Sequence, residues 1–162
     1  MLLWFAGLAF VIVWQVFRDT AVDYRLVMAG AVLPDVVDVV AGGARVLHTL
    51  AFSVAFLVGV MLATRGRRSA RRRLLALPIG TFLHLVLDGM WTRTEVFWWP
   101  FFGWSFNGAR LPTASRGVGL VVLQEVVGLV ALWWSVGRWE LTDPQRRRTF
   151  LRTGRLSRDL AA

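Results

Sequence analysis

The sequence has no cysteine, which excludes disulfides, thiolate metal ligands and cysteine nucleophiles. It has no lysine, so all nineteen basic residues are arginine. Histidine is scarce, with two copies, His48 and His84. The chain carries ten acids, and few of them interrupt its apolar runs. No internal repeat or low-complexity segment is evident, and residues 65–73 form the one block of like charge.

Apolar side chains fill the space these absences leave. They make up 56% of the 162 residues, and the mean hydropathy is +0.55. Soluble domains sit nearer 45–50% apolar, so the excess points to lipid. Nine tryptophans add to this. Several of them sit at the ends of apolar runs or in the aromatic stretch 97–106, as amphipathic rings do at membrane–water boundaries. The net charge of +9 could indicate nucleic acid, but the arginines cluster between apolar runs and in the tail, where membrane orientation puts them. Nucleic acid is therefore not an expected partner, whereas membrane lipid is. The first run has no basic residue ahead of it and no small-x-small cleavage site, so it reads as a retained helix rather than a signal peptide.

Five apolar segments stand out, at 2–17, 24–41, 46–64, 74–91 and 118–137. About 20 helical residues cross a 30 Å hydrocarbon core, which the last three segments satisfy and the first two approach. Six arginines and no acid lie between Arg65 and Arg73, and seven arginines follow from Arg138 onward against Glu140, Asp143 and Asp159. The positive-inside rule makes both regions cytoplasmic. Residues 38–48 and 88–117 then fall on the outer side, whichever way the first segment runs. The expected fold is all-α, an integral membrane bundle of about 4–5 helices. It divides into a transmembrane domain, 1–141, and a basic cytoplasmic tail, 142–162. An aromatic loop, Phe97 to Trp104, lies outside as an interfacial anchor or as the wall of a site. Thr142-Asp143-Pro144 reads as a helix start. The basic helix that follows suits an anionic inner leaflet, at about 1 kcal/mol per arginine.

Ionisable residues within such segments are costly, about 2.5–3.5 kcal/mol each near a membrane centre. His84 and Asp88, four apart, share a helix face. Taken alone, Asp88 could simply orient a buried imidazole. Asp35 and Asp38, three apart after the kinking Pro34, share a face or mark a solvated helix end. His48 opens the third segment, with Arg45 one turn before it, and could be an interfacial residue only. Together the two histidines and three aspartates fall at one membrane face. Two imidazoles and three carboxylates suit Zn²⁺, Mn²⁺ or Fe²⁺ and disfavour copper(I). Arg45, Arg93, Arg110 and Arg116 lie at the same face, where guanidinium forks can hold a phosphate. Glu125, beside Gln124 in the last segment, is open to three roles: pairing with an arginine, supporting a ligand, or acting as a base.

Three blocks resemble the YdjM-like family of bacterial membrane-bound metal-dependent hydrolases. Gly30-Ala31-Val32-Leu33-Pro34-Asp35-Val36-Val37-Asp38 looks like its G-x-L-L-P-D-x-D block. Arg45-Val46-Leu47-His48-Thr49-Leu50 is similar to its R-G-x-T-H-S-L block. Gly80 to Asp88, followed by Trp99-Pro100-Phe101, looks like its G-x-x-x-H-x-x-x-D block and trailing W-P-F. The blocks span residues 30–102. Asp38 comes three residues after Asp35 where the family has two, a helical rotation of about 100°. The resemblance implies a multi-pass protein of the bacterial cytoplasmic membrane with its C-terminus inside. It also implies a divalent metal, zinc before manganese or iron. His48, His84 and Asp88 are the first expected ligands, Asp35 completes the shell or accepts a proton, and Asp38 takes the remaining role. The expected activity is metal-dependent hydrolysis at the outer face, on a phosphate-containing lipid. The alternative is a non-catalytic membrane interaction protein with a structural polar or metal site. A homo-oligomer is left open.

Overall fold

The structure is a computed structural model that describes residues 1–40, 46–104, 106 and 116–160. Among the described residues it is all helix, with no strand. In chain order the α-helices are α1 (Leu2–Phe17), α2 (Tyr24–Val40), α3 (Leu50–Ala63), α4 (Arg68–Leu74), α5 (Ala76–Leu87), α6 (Thr94–Phe97), α7 (Val118–Arg138) and α8 (Pro144–Thr153). Short 3-10 turns cover Val46–His48, Met90–Thr92 and Arg158–Leu160.

Segments 2–17, 24–41 and 118–137 appear as single helices at nearly their expected bounds. Segments 46–64 and 74–91 are divided, which corrects the expectation that each crosses as one long helix. In the first, Thr49 ends the 3-10 turn and caps α3, its hydroxyl accepting from the Phe52 N–H at 3.0 Å. In the second, Pro78 has no N–H to give the Leu74 carbonyl, and the helix breaks at Leu75 between α4 and α5. Gly89, with φ +66°, then turns the chain out of the helix just after Asp88, the C-cap of α5. Of the expected four or five crossing helices, only α7 among the described residues is by itself long and apolar enough to cross a membrane. α1 and α3 are apolar but shorter.

Two close helix crossings organise the fold. α2 lies against α5 where Gly30 meets the Leu77 backbone and Gly80 meets the Val27 carbonyl. A Cβ at either glycine would collide with main chain, so the crossing needs hydrogen there. α1 lies against α7 in the same way, through Gly7 and Gly128. One apolar cluster joins the parts: Phe5, Phe10, Val13 and Trp14 of α1, Tyr24 and Val27 of α2, Ala76 of α5, and Trp139 after α7. Trp14 and Trp139 meet edge to face at 4.5 Å. The basic tail docks on this cluster. Asp143 caps α8 by accepting from the Arg146 N–H at 2.8 Å, Phe150 packs near Phe10, and the Tyr24 N–H donates to the Gly154 carbonyl at 2.9 Å.

The outward surfaces are strongly apolar. Val122, Val126, Leu129 and Trp133 of α7, and Val58, Met61 and Leu62 of α3, are exposed. Phe101 and Trp104 in the aromatic stretch are more than 80% exposed. Contiguous apolar surface on this scale is not left facing water; it marks contact with lipid or with another protein.

Candidate metal centre

His48 is fixed by its own turn. Thr49 donates its hydroxyl to the Val46 carbonyl at 2.8 Å, which closes the 3-10 turn and buries the His48 ring completely. His84 projects from α5 through the Gly30–Gly80 crossing toward α2, and it too is fully buried. Asp35 and Asp38 share a face of α2 and bracket His48 on both edges of its ring. Asp38 Oδ2 lies 2.7 Å from His48 Nδ1, and Asp35 Oδ1 lies 3.6 Å from His48 Nε2.

These contacts place a hydrogen on each Nδ1. A carboxylate oxygen and a carbonyl oxygen are acceptors only, so each ring nitrogen facing one carries a hydrogen. His48 Nδ1–H thus donates to Asp38, and His84 Nδ1–H donates to the Ala31 carbonyl at 2.7 Å. In neutral rings both Nε2 atoms keep lone pairs, facing each other at 3.2 Å, whereas a protonated His48 donates its Nε2–H to the His84 lone pair. Asp35 Oδ1 completes the triangle, 3.7 Å from His84 Nε2 and buried without a hydrogen-bond donor. Two lone pairs and a carboxylate at these separations repel unless a cation lies among them, either a metal ion or the added proton of an imidazolium.

A divalent metal ion fits that requirement. Ligands about 2.0–2.2 Å from a tetrahedral ion stand about 3.3–3.6 Å apart, close to the three separations here. Asp35, His48 and His84 form a group that could hold such an ion, their ligand atoms all within 4.8 Å of one another. Nδ1–H bonds to a carboxylate and to a carbonyl are the usual means of orienting metal-ligating imidazoles. The Phe5 ring lies 4.0 Å from the His84 ring and walls that side with hydrocarbon.

The other expected residues fall around this trio. Asp38 stands behind His48 rather than in the triangle. Asp88 turns to Arg116, with Oδ1 3.0 Å from Nη1, while Arg116 Nη2 donates to the Asp88 carbonyl at 2.8 Å. Glu125 accepts from the Leu3 N–H at 2.9 Å in the first turn of α1. Arg93 begins α6, its carbonyl accepting from Val96 and Phe97. Arg45 and Arg110 lie outside the described residues. The sequence reading missed the Ala31 carbonyl and the Phe5 wall. Neither carries a readable signal, since Pro34 frees the Gly30 carbonyl four residues before it rather than that of Ala31, and Phe5 is only apolar.

A groove runs beside the trio between α1, α3 and α5. It encloses about 450 Å³ and is lined by Ile12, Val16, Leu50, Leu57, Phe82 and Leu83 among others. Two of its lining residues, Leu50 and Leu83, lie close in the chain to His48 and His84. The buried Ser53 hydroxyl, without a hydrogen-bond partner, is its one polar group of note. Comparison with known proteins finds no matching family model, curated protein or solved structure.

Proposed function

We propose that the protein is a multi-pass protein of the bacterial cytoplasmic membrane that hydrolyses a phosphate-containing lipid, using a divalent metal held by Asp35, His48 and His84. The observation that carries this reading is the pair of opposed Nε2 atoms, 3.2 Å apart, with Asp35 Oδ1 beside them. A divalent ion held by Asp35, His48 and His84 would supply Lewis acidity toward a phosphoryl oxygen or a water. The remaining chemistry belongs to the chain. Asp38 and the Ala31 carbonyl keep both Nε2 atoms aimed inward, and the Phe5 ring limits water on one side. Arg116, anchored on Asp88, offers a guanidinium edge for phosphate near the end of α5. The apolar groove suits the alkyl chain of an amphiphile whose headgroup sits at the trio, because its lining includes Leu50 and Leu83. At about 450 Å³ it lies within the ordinary range of ligand pockets.

The resemblance of residues 30–102 to the YdjM-like blocks supports the same reading, with zinc as the first choice of metal. The membrane setting is supported by the exposed apolar faces of α3 and α7 and by the arginines gathered at the opposite end of the bundle.

A second reading draws on the position of His48 between two carboxylates. An imidazolium there would hold α2 to the 3-10 turn as a polar staple, in a protein whose role is interaction rather than catalysis. One experiment separates the two. The purified protein is analysed for metal by mass spectrometry and then given phosphatidate or a prenyl phosphate in mixed micelles. Stoichiometric metal and released phosphate, both lost in His84→Ala, support the hydrolase. Metal-free protein of normal stability supports the staple.

A further inference from the structure

The end of the bundle away from the imidazoles holds a second constructed cavity. α1 runs from Phe5, beside His84, to the turn at residues 18–23, and α5 runs from Ala76 toward Asp88. The α1–α2 turn, the end of α4 and the end of α8 therefore meet at the far end. Between them lies a cavity of about 240 Å³ lined by Ala21, Asp23, Arg72, Arg73, Arg152, Thr153 and Arg155.

Hydrogen bonds between distant segments fix its walls. The Leu156 N–H donates to the Thr20 carbonyl at 3.0 Å, the Tyr24 N–H to the Gly154 carbonyl, and Arg25 Nη1 to the Leu151 carbonyl. Gly154, with φ +71°, turns the chain so that Arg152 and Arg155 reach the cavity from either side of the turn. A Cβ at that position would strike the Asp23 carboxylate, so only glycine fits.

Asp23 is the one acid in this wall, and its charge is already matched. Arg25 Nη2 lies 2.9 Å from Oδ2 and Arg73 Nε 3.1 Å from it. Burial pushes the Asp23 carboxyl up, but the bonds and charges of Arg25 and Arg73 outweigh it and hold the group below its usual range. Arg72, Arg152 and Arg155 are left around the opening without acidic partners among the described residues. Three arginines, from α4, α8 and the turn after it, line one small volume. That charge exceeds what holding the helices together requires.

We propose that this cavity binds a phosphate-bearing anion, at the face opposite the metal centre. Its chemistry is that of a phosphomonoester or diphosphate, whose oxygens accept paired N–H bonds from guanidinium forks. The ligand comes either from an anionic lipid headgroup of that leaflet or from a soluble phosphate. The proposal is independent of the hydrolase reading, because no residue of the trio takes part.

The test uses the full chain in phosphatidylcholine nanodiscs. Pyrophosphate binding is measured by calorimetry, and phosphatidate retention by native mass spectrometry after doping the bilayer. Binding of pyrophosphate alone identifies a soluble ligand, and retention of phosphatidate alone a lipid one. The Arg152→Gln/Arg155→Gln pair is expected to weaken whichever binds by about tenfold or more. Arg65→Gln/Arg67→Gln, which removes the same charge outside the cavity, is expected to leave it nearly unchanged. Arg72→Gln, on a different helix, repeats the loss and carries the test if the double variant does not fold. Equal losses in the cavity and control pairs would overturn the proposal, as would failure of the wild type to bind either probe.

Discussion

His48 and His84, thirty-six residues apart in the chain, point their Nε2 atoms at one another across 3.2 Å, each ring held from behind through Nδ1. Nothing in the chain between them fixes that distance directly. It follows from two local devices: the Thr49 cap that seats His48, and the glycine crossing that lets α5 reach α2. The metal-site reading depends on both.

The hold on His48 from behind is tested at Asp38. Its carboxylate fixes the His48 tautomer without entering the triangle. Asp38→Asn is expected to lower metal affinity by about 10–100-fold while leaving the helical content intact. Competition with a calibrated chelator measures this. An unchanged affinity would mean that His48 is oriented by something else.

The crossing is tested at Gly80. Gly80→Val drives a side chain into the Val27 carbonyl and the backbone at Gly30 and Ala31. Overpacking of this kind costs about 1–3 kcal/mol or more, and the shift also moves the Ala31 carbonyl away from His84. Thermal melting and metal content should fall together. Gly59→Val, at a position with open space around it, is the matched control and should do neither.

These elements differ in how legible they were in the sequence. α1, α2 and α7 follow from apolar run length alone, and the i, i+3 spacing correctly put Asp35 and Asp38 on one face. The division of 46–64 and 74–91 was not readable from hydropathy, because it rests on one threonine hydroxyl and one missing proline N–H. Which aspartate touches the triangle was not readable either. Ring orientation decides it, and an acceptor on the Ala31 backbone sets the orientation of His84. Asp88 shows the limit most clearly. Its partner Arg116 is twenty-eight residues away, beyond any helical periodicity.

Acid stability should report on Asp23. Its pKa is held below the ordinary 3.8 in the folded chain, chiefly by Arg25 and Arg73 against the opposing effect of burial. The stabilisation is therefore present above the unfolded value and disappears as pH falls through the lower folded value. Melting followed downward from pH 6 should show a decline below about pH 4. Asp23→Asn should be less stable at pH 6 and show a smaller decline. A wild type and variant with parallel pH profiles would contradict this.

The groove is tested by filling it. Leu57→Trp places an indole in the space between α1, α3 and α5, away from the three ligands. Metal content is expected to stay stoichiometric, while KM for a long-chain lipid phosphate rises and kcat/KM for a short-chain analogue holds. Equal effects on both substrates would separate the groove from substrate binding.

The most direct measurement is metal content in protein purified without added metal or chelator, read by mass spectrometry for wild type, His84→Ala and Asp35→Asn. The account predicts close to one zinc, manganese or iron per chain in the wild type and near zero in His84→Ala, with Asp35→Asn reduced. Well-folded wild-type protein that carries no metal, and takes up none when offered zinc or manganese, would contradict it.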